Sequence, residues 1–184
     1  MDKIRILQIL NTYNMKALFI SVKDLKDKSI IDGNVDSDKL IHFIEVAQDI
    51  NIHQYLGSSL YEKLQALIIS GEIEDAGNSN YKKLRDEYIK PCLIWFTQVE
   101  YLPFSRFTID NSGLTNHRSQ NDEIVELREV DRLVSKARER AEFYSQRFVD
   151  YLCNNSNLFP EYLNNSNEDL RPNRDNNNFS SIVL

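Results

Sequence analysis

Three histidines and two cysteines are the side chains of this sequence best suited to binding a metal ion or acting as nucleophiles. They are His42, His53, His117, Cys92 and Cys153. Zinc sites need ligands at short, regular spacings, such as two cysteines separated by two residues. No pair among these residues has such a spacing, so we expect no metal site. We interpret both cysteines as reduced thiols in a cytosolic setting.

Carboxylates and turn motifs offer equally little support for catalysis. The acids of EIED at 72–75 are adjacent rather than one helical turn apart, which favours a solvated loop over a general acid–base pair. DNSG at 110–113 lacks the later acidic ligands of a calcium loop and is predicted to be a turn. The sequence contains no glycine-rich phosphate loop and no G-x-S-x-G motif. We therefore predict a protein that is not an enzyme and that binds no cofactor.

One charged pattern does indicate binding. Four basic residues recur at intervals of four, and we name them the basic ridge: Arg128, Arg132, Lys136 and Arg140. Residues four apart share one helix face, where like charges repel by about 0.2–0.5 kcal/mol per pair. One interpretation is that Glu129 and Glu139 neutralise the ridge on the same helix. The other is an interface with an acidic face of a neighbouring subunit, or with DNA.

The composition indicates the fold class. The chain has 184 residues and a net charge of -6, which argues against wrapping nucleic acid unaided, because phosphate binding relies on lysine and arginine. Only 5 glycines and 4 prolines occur, so turn signals are scarce and helices are favoured. We predict a mainly α fold, a small bundle of about four helices with a projecting β-hairpin or loop and an extended C-terminal arm.

Three regions are predicted along the chain. Residues 1–36 form an N-terminal segment that is partly extended, with a short strand at 17–22. Residues 37–153 form the helical domain, which carries the hairpin or loop at 105–122. Residues 154–184 form an asparagine-rich arm.

Periodic apolar residues place the first three helices. The first is predicted over 37–51, and the second runs from Ser59, a capping residue, to Gly71. The third spans 80–102, and Pro91 should kink it because proline lacks a backbone donor. After Pro91 the apolar residues cover nearly every side, so this half of the helix should be buried.

The last helix shows a heptad pattern. Its apolar residues are spaced alternately by three and four positions: Leu127, Val130, Val134, Ala137, Ala141, Tyr144, Phe148 and Tyr151. A helix of about 30 residues is roughly 45 Å long, longer than a domain of this size needs to cover its own core. Part of this seam is therefore predicted to contact another chain.

The C-terminal region combines polarity with two apolar anchors. Ten of its 31 residues are asparagine, and such a segment cannot offset its ordering entropy by burying apolar surface. The anchors are LFPEYL at 158–163 and SIVL at 181–184, so we predict an arm that orders on a partner. Its predicted contact residues are Phe159, Tyr162, Leu163, Ile182, Val183 and Leu184.

No part of the sequence predicts a membrane protein. The N-terminal stretch has neither a long apolar run nor a small-residue cleavage site, so no signal peptide is expected. No stretch reaches the roughly 18 uninterrupted apolar residues of a transmembrane helix.

Several blocks of the sequence together resemble a known family. They are LFISVKDL at 18–25, the AQDINIHQYLGSSLY run at 47–61, the KPCLIW block at 90–95, and the helix ending AEFYSQRFVDYLCNN at 141–155. In combination they resemble head–tail connector proteins of tailed phages. They are most similar to those of phages of Bacteroides and related hosts, including the crAss-like group. The resemblance covers roughly residues 17–163.

This resemblance implies a structural role in the virion. Such adaptors are small helical bundles that form a ring, usually of twelve copies, beneath the portal protein. The partners it implies are copies of the chain itself, the portal, and the next tail or adaptor protein, with genomic DNA passing through without sequence-specific binding. No catalytic residues carry over. The alternative is a helical regulatory or nucleic-acid-binding module that uses the basic ridge.

Overall fold

Helical structure begins earlier in the chain than the sequence predicts. The computed structural model describes residues 16–31, 33–105, 107–110, 113–116, 127–164 and 169–174. Its first helix, α1, spans Val22–Asp27. The Ser21 hydroxyl accepts a hydrogen bond from the Asp24 backbone N–H at 3.0 Å, and the Asp24 carboxylate accepts one from the Ser21 N–H at 3.0 Å. This reciprocal capping box stabilises the start of the short helix. The strand predicted at 17–22 does not form.

Helices α2 and α3 are joined without the interruption that the sequence predicts near residue 51. Helix α2 (Ser37–Ala47) continues through a π-helical turn (Gln48–Ile52) into α3 (His53–Ser70). The break lies at Gly57, between the predicted end of the first helix near 51 and the predicted start of the second at Ser59, and φ there is 70° and ψ is 158°. Only glycine adopts this conformation without strain.

The chain folds back on itself at Gly57. The Gln48 side-chain amide donates to the Tyr61 hydroxyl at 3.0 Å across a separation of 13 residues. In a straight helix such residues would be about 20 Å apart. The bend thus brings the end of one helical segment beside the start of the next, and we call residues 53–58 the helix corner.

The third helix accommodates its proline through a widened turn. Helix α4 (Ser79–Lys83) continues through a second π-helical turn (Leu84–Ile89) into α5 (Lys90–Tyr101). The Lys90 backbone N–H donates to the Arg85 carbonyl, five residues earlier. In an α-helix the ring of Pro91 would clash with the carbonyl four residues before it, and the π-turn makes room for that ring. Short 3₁₀ turns occur at Glu72–Glu74, Ala76–Asn78, Leu102–Phe104 and Ser156–Leu158.

Two short strands follow α5. Strand β1 (Phe107–Asp110) pairs antiparallel with β2 (Gly113–Asn116). Both lie inside the segment 105–122. Within the described ranges the protein is otherwise helical, a mainly α small bundle as the sequence predicts.

Helix α6 (Leu127–Asn154) packs antiparallel against α5 and the π-turn before it. The core includes most of the described residues of the heptad seam. The buried ones are Val130, Ala137, Ala141 and Phe148, and the half-buried ones are Val134, Tyr144 and Tyr151. Ala137 packs with Val99 and Leu102 at the end of α5, so the seam is covered within the chain from Ala137 towards Tyr151. The contact of part of the seam with another chain stays a prediction.

The C-terminal region does not form an extended arm from residue 154 onwards. The side chains of Phe159 and Tyr162 are 0% and 1% exposed, and helix α7 (Pro160–Leu163) packs against α3. The Phe159 and Tyr81 rings lie 5.6 Å apart, and the Tyr81 hydroxyl donates to the Glu161 carboxylate at 2.9 Å. Phe159 and Tyr162 of LFPEYL thus complete the chain's own core, although the flanking sequence is polar.

Candidate interaction site

The structure divides the predicted basic ridge into two halves. All four side chains are exposed on α6. The Lys136 ammonium pairs with the Glu139 carboxylate at 2.7 Å, as the neutralisation interpretation requires. The Arg140 guanidinium lies 4.7 Å from the centre of the Trp95 ring on α5. Lys136 and Arg140 are therefore already engaged within the chain.

The Arg140–Trp95 contact belongs to a repeated pattern. One heptad further along α6, the Arg147 guanidinium lies 5.0 Å from the centre of the Tyr88 ring. Each arginine is attracted to the negative face of an aromatic ring, by about 0.5–1 kcal/mol at exposed positions. The two stacks are seven residues apart on both helices, so they fix the antiparallel register of α6 on the α4–α5 stretch.

The N-terminal half of α6 carries the other two ridge residues. Within the described part of the chain, neither Arg128 nor Arg132 forms an ion pair. Beside them the Leu133 side chain is 45% exposed, and Phe143 on the outer face of the same helix is 65% exposed. Large apolar side chains flanked by arginine are typical of protein–protein interfaces. We call Arg128, Arg132 and Leu133 the α6 outer patch.

The residues predicted to contact a partner through the C-terminal arm have three different placements. Phe159 and Tyr162 are core residues, so their assignment to an interface is wrong for the folded chain. Leu163 is 49% exposed and remains accessible. The last three, at 182–184, lie outside the described residues.

A second site was not predicted from the sequence and lies at the helix corner. Residues 169–174, which we call the strap, run along this corner. The Ser58 backbone N–H donates to the Leu170 carbonyl at 2.9 Å, and the Asn173 N–H donates to the Gln54 carbonyl at 2.8 Å. In a regular helix the Ser58 N–H would bond the Gln54 carbonyl, so the strap satisfies both groups that the bend leaves without an intrahelical partner.

The strap approaches Gly57 very closely. A β-carbon built on Gly57 would lie 2.6 Å from the Pro172 Cδ and 2.9 Å from the Pro172 backbone nitrogen. Glycine is therefore required at position 57 for two reasons, its backbone conformation and the proximity of Pro172.

Ser58 is the centre of the polar contacts at the corner. Its hydroxyl has one hydrogen, which it donates to the Asp169 carboxylate at 2.8 Å. His53 Nε2, 2.9 Å away, must then carry a hydrogen and donate it to the Ser58 oxygen, as the Leu170 N–H does at 3.2 Å. A serine nucleophile needs a base that accepts its proton. Here the histidine donates to the serine, so this arrangement holds the strap and does not activate the hydroxyl.

A pair of buried glutamines holds the N-terminal segment beside the same corner. The Gln48 side-chain oxygen accepts from the Phe19 N–H at 2.8 Å, and its amide donates to the Ala17 carbonyl at 3.0 Å. The Gln65 amide also donates to the Ala17 carbonyl, at 2.9 Å. We call Gln48 and Gln65 the glutamine clamp. Because it binds backbone groups, it fixes residues 17–19 in an extended conformation without a strand.

Burial lowers the pKa of His53 below its ordinary value of 6.5, against the opposing attraction of Asp169 and Asp49. The unfolded chain therefore binds a proton more readily than the folded one between that lowered pKa and 6.5. The contribution of His53 to the free energy of unfolding is fully present above pH 6.5 and is lost as the pH falls through this window.

We expect the His53→Gln variant to lose this component of the pH dependence, because glutamine keeps an N–H donor but does not titrate. The measurement is urea unfolding at a series of pH values between about 7.5 and 5.5. Replacement of the exposed His42 by glutamine is the matched control. An unchanged slope in His53→Gln would contradict the assignment of this window to His53.

Other kinds of site are not found in the described residues. No group of three His, Cys, Asp or Glu side chains there is arranged to hold a metal ion. Among the helices of the described ranges, none combines the length and the apolar character needed to cross a bilayer.

A signal for the corner was present in the sequence but was weak. Gly57 inside a helical pattern indicated an irregularity. The buried glutamines had no signal, because they are spaced like any surface glutamine. Trp95 and Tyr88 could have indicated the stacks only once the helix pairing was known.

Comparison with known proteins gives one family and no function. A model for a family of unknown function, DUF6712, matches residues 52–171. The matched range includes the helix corner and the first residues of the strap, so both belong to the shared domain. No curated protein and no solved structure matches the chain.

Proposed function

The chain belongs to the DUF6712 family, and we propose that it is a structural virion protein, a head–tail adaptor that assembles as a ring beneath the portal of a tailed phage. In this role it extends the DNA channel and joins the portal to the next tail component. The similarity of residues 17–163 to such adaptors motivates the proposal. The small helical bundle is compatible with it.

The observation that carries the proposal is the α6 outer patch. Helix α6 is about 42 Å long at 1.5 Å per residue, and its N-terminal half exposes Arg128, Arg132 and Leu133. A subunit in a head-to-tail ring needs a surface that binds a different surface of its neighbour. A patch combining arginine and apolar side chains on a long, well-supported helix suits that purpose.

The placement of the other two ridge residues favours a protein partner over DNA. Lys136 is paired with Glu139 and Arg140 is stacked on Trp95, so two of the four ridge cations already have partners within the chain. Affinity for DNA falls with each phosphate contact that is lost. With a net charge of -6, the ring is expected to let DNA slide through its channel without binding it.

We expect the double variant Arg128→Glu/Arg132→Glu to weaken self-association by about tenfold or more, because both charges reverse at the outer patch. Both side chains are exposed, so the free energy of unfolding should change by less than about 0.5 kcal/mol. Sedimentation velocity over a range of protein concentrations measures the first effect, and urea unfolding measures the second.

The matched control is Lys23→Glu/Lys28→Glu, which changes the net charge equally at exposed positions of the N-terminal segment. Equal weakening by both pairs would mean that net charge, not the outer patch, controls association.

Cryo-EM of virions tests the proposed role as an adaptor beneath the portal. The adaptor proposal is wrong if the protein lies away from the portal or occurs there as isolated copies.

A further inference from the structure

We propose that the helix corner is a docking site for an extended peptide with an aspartate three residues before a proline, that the strap fills it in this chain, and that its occupancy is coupled to the docking of residues 17–19 at the glutamine clamp. This inference goes beyond the adaptor role and does not depend on it.

The corner has the features of a built site. The bend at Gly57 leaves one donor and one acceptor facing the strap, the Ser58 N–H and the Gln54 carbonyl. Leu170 and Asn173 supply the complementary backbone groups. Main-chain bonding of this kind selects an extended backbone and is indifferent to most side chains, as in other sites that bind peptides along their backbone.

Two strap side chains contact the corner itself, while a third, Arg174, anchors the end of the strap on Tyr162 by donating to its carbonyl at 3.3 Å. The Asp169 carboxylate accepts the Ser58 hydroxyl hydrogen at 2.8 Å. The Pro172 ring lies against Gly57, where any side chain on the helix would collide with it. Between them, Leu170 is 40% exposed and Arg171 is also exposed. The ligand is therefore defined by aspartate and proline at this spacing.

A continuous series of contacts leads from the strap to the N-terminal segment. In order, its members are Asp169, Ser58, His53, Tyr61, Gln48 and Phe19. The first three are joined by the hydrogen bonds at the Ser58 hydroxyl. The His53 ring then stacks on the Tyr61 ring, with centroids 4.2 Å apart and 19° between planes.

Tyr61 completes the series by orienting the clamp. Its hydroxyl accepts from the Gln48 amide at 3.0 Å and donates to the Asp49 carboxylate at 3.0 Å. The same Gln48 amide group bonds the Ala17 carbonyl and the Phe19 N–H. Gln48 is fully buried, so it has no water to replace a lost partner. A shift of the His53–Tyr61 stack must therefore disturb the hydrogen bonds that hold residues 17–19.

The test uses hydrogen exchange of the full-length chain, read by mass spectrometry, in the variant Asp169→Ala/Pro172→Ala. We expect exchange of the Leu170 and Asn173 amides, which are hydrogen-bonded at the corner, to accelerate by about tenfold or more, and of those at 17–19 by about threefold or more. The control is Arg171→Ala, a strap substitution at an exposed side chain, which should leave both segments unchanged.

The same strap substitutions are then made in a Tyr61→Phe background, which keeps the ring stack but removes the hydroxyl bonded to Gln48. We expect strap release to be retained there and its effect on residues 17–19 to disappear. Such non-additivity is the mark of a direct coupling.

Each other result overturns part of the proposal. Unchanged exchange at Leu170 and Asn173 would mean that Asp169 and Pro172 do not hold the strap, and faster exchange throughout α5 would mean that the strap is part of the core and not a docked ligand. Strap release without an effect at 17–19 would refute the coupling. An equal effect in the Tyr61→Phe background would refute the route through Tyr61.

Discussion

The Phe159→Ala variant is expected to lose about 3–5 kcal/mol of unfolding free energy, the range for removing a fully buried aromatic side chain. Phe159 is 0% exposed and contacts the rings of Tyr81 and Tyr151, at centroid distances of 5.6 Å and 6.1 Å. Substitution by alanine leaves a cavity that these two rings can fill only in part. Urea unfolding, monitored by circular dichroism, gives the free-energy difference.

A nearby residue provides the control for Phe159→Ala. Leu163 lies four positions later, on α7, but is 49% exposed, so Leu163→Ala should cost less than about 1 kcal/mol. Similar losses for the two variants would mean that Phe159 contributes no more to the core than an exposed residue of α7.

Deletion of everything after Cys153 should likewise unfold the domain, because it removes both Phe159 and Tyr162 from the core.

The Gly57→Ala variant is expected to lose about 3 kcal/mol, from two causes. A β-carbon is strained at φ 70° and ψ 158°, a conformation almost confined to glycine. It would also lie 2.6 Å from the Pro172 ring, so the strap would have to move away from the corner. Urea unfolding gives the total loss, and faster amide exchange in the strap would identify its displacement.

Gly71→Ala is the matched control for this substitution. Gly71 also has a positive φ, of 79°, but a β-carbon there would meet nothing within 4 Å. Its replacement should therefore cost only about 1–2 kcal/mol of backbone strain. If both glycine variants lost the same free energy, the proximity of Pro172 would contribute nothing to the requirement for glycine at position 57.

The regular helices could be predicted from the sequence because their apolar residues repeat with a single period. The heptad seam on α6 and the buried half of α5 after Pro91 both follow from local spacing alone. Ser21 and Asp24 also carried a recognisable capping signal. The helix that it begins, Val22–Asp27, is only six residues long, which is too short for its apolar residues to show a helical period.

The helix corner could not be predicted in the same way, since its cause is distant in the chain. The bend at Gly57 depends on hydrogen bonds to residues more than 110 positions later, among them the bond from Leu170 to Ser58. The polar composition around the strap favoured an unanchored arm, because composition does not reveal backbone hydrogen bonds. Phe159 and Tyr162 were placed at an interface for the same reason.

The two arginine–aromatic stacks have a mechanical consequence. The Arg140–Trp95 stack and the Arg147–Tyr88 stack lie seven residues from one another along each helix. Sliding α6 along α5 by one turn would therefore break both contacts together. The two helices should therefore move together when a force acts along their common axis. A force applied near Arg128 would be transmitted along α6 to its C-terminal end at Asn154, from which the chain leads directly to Phe159.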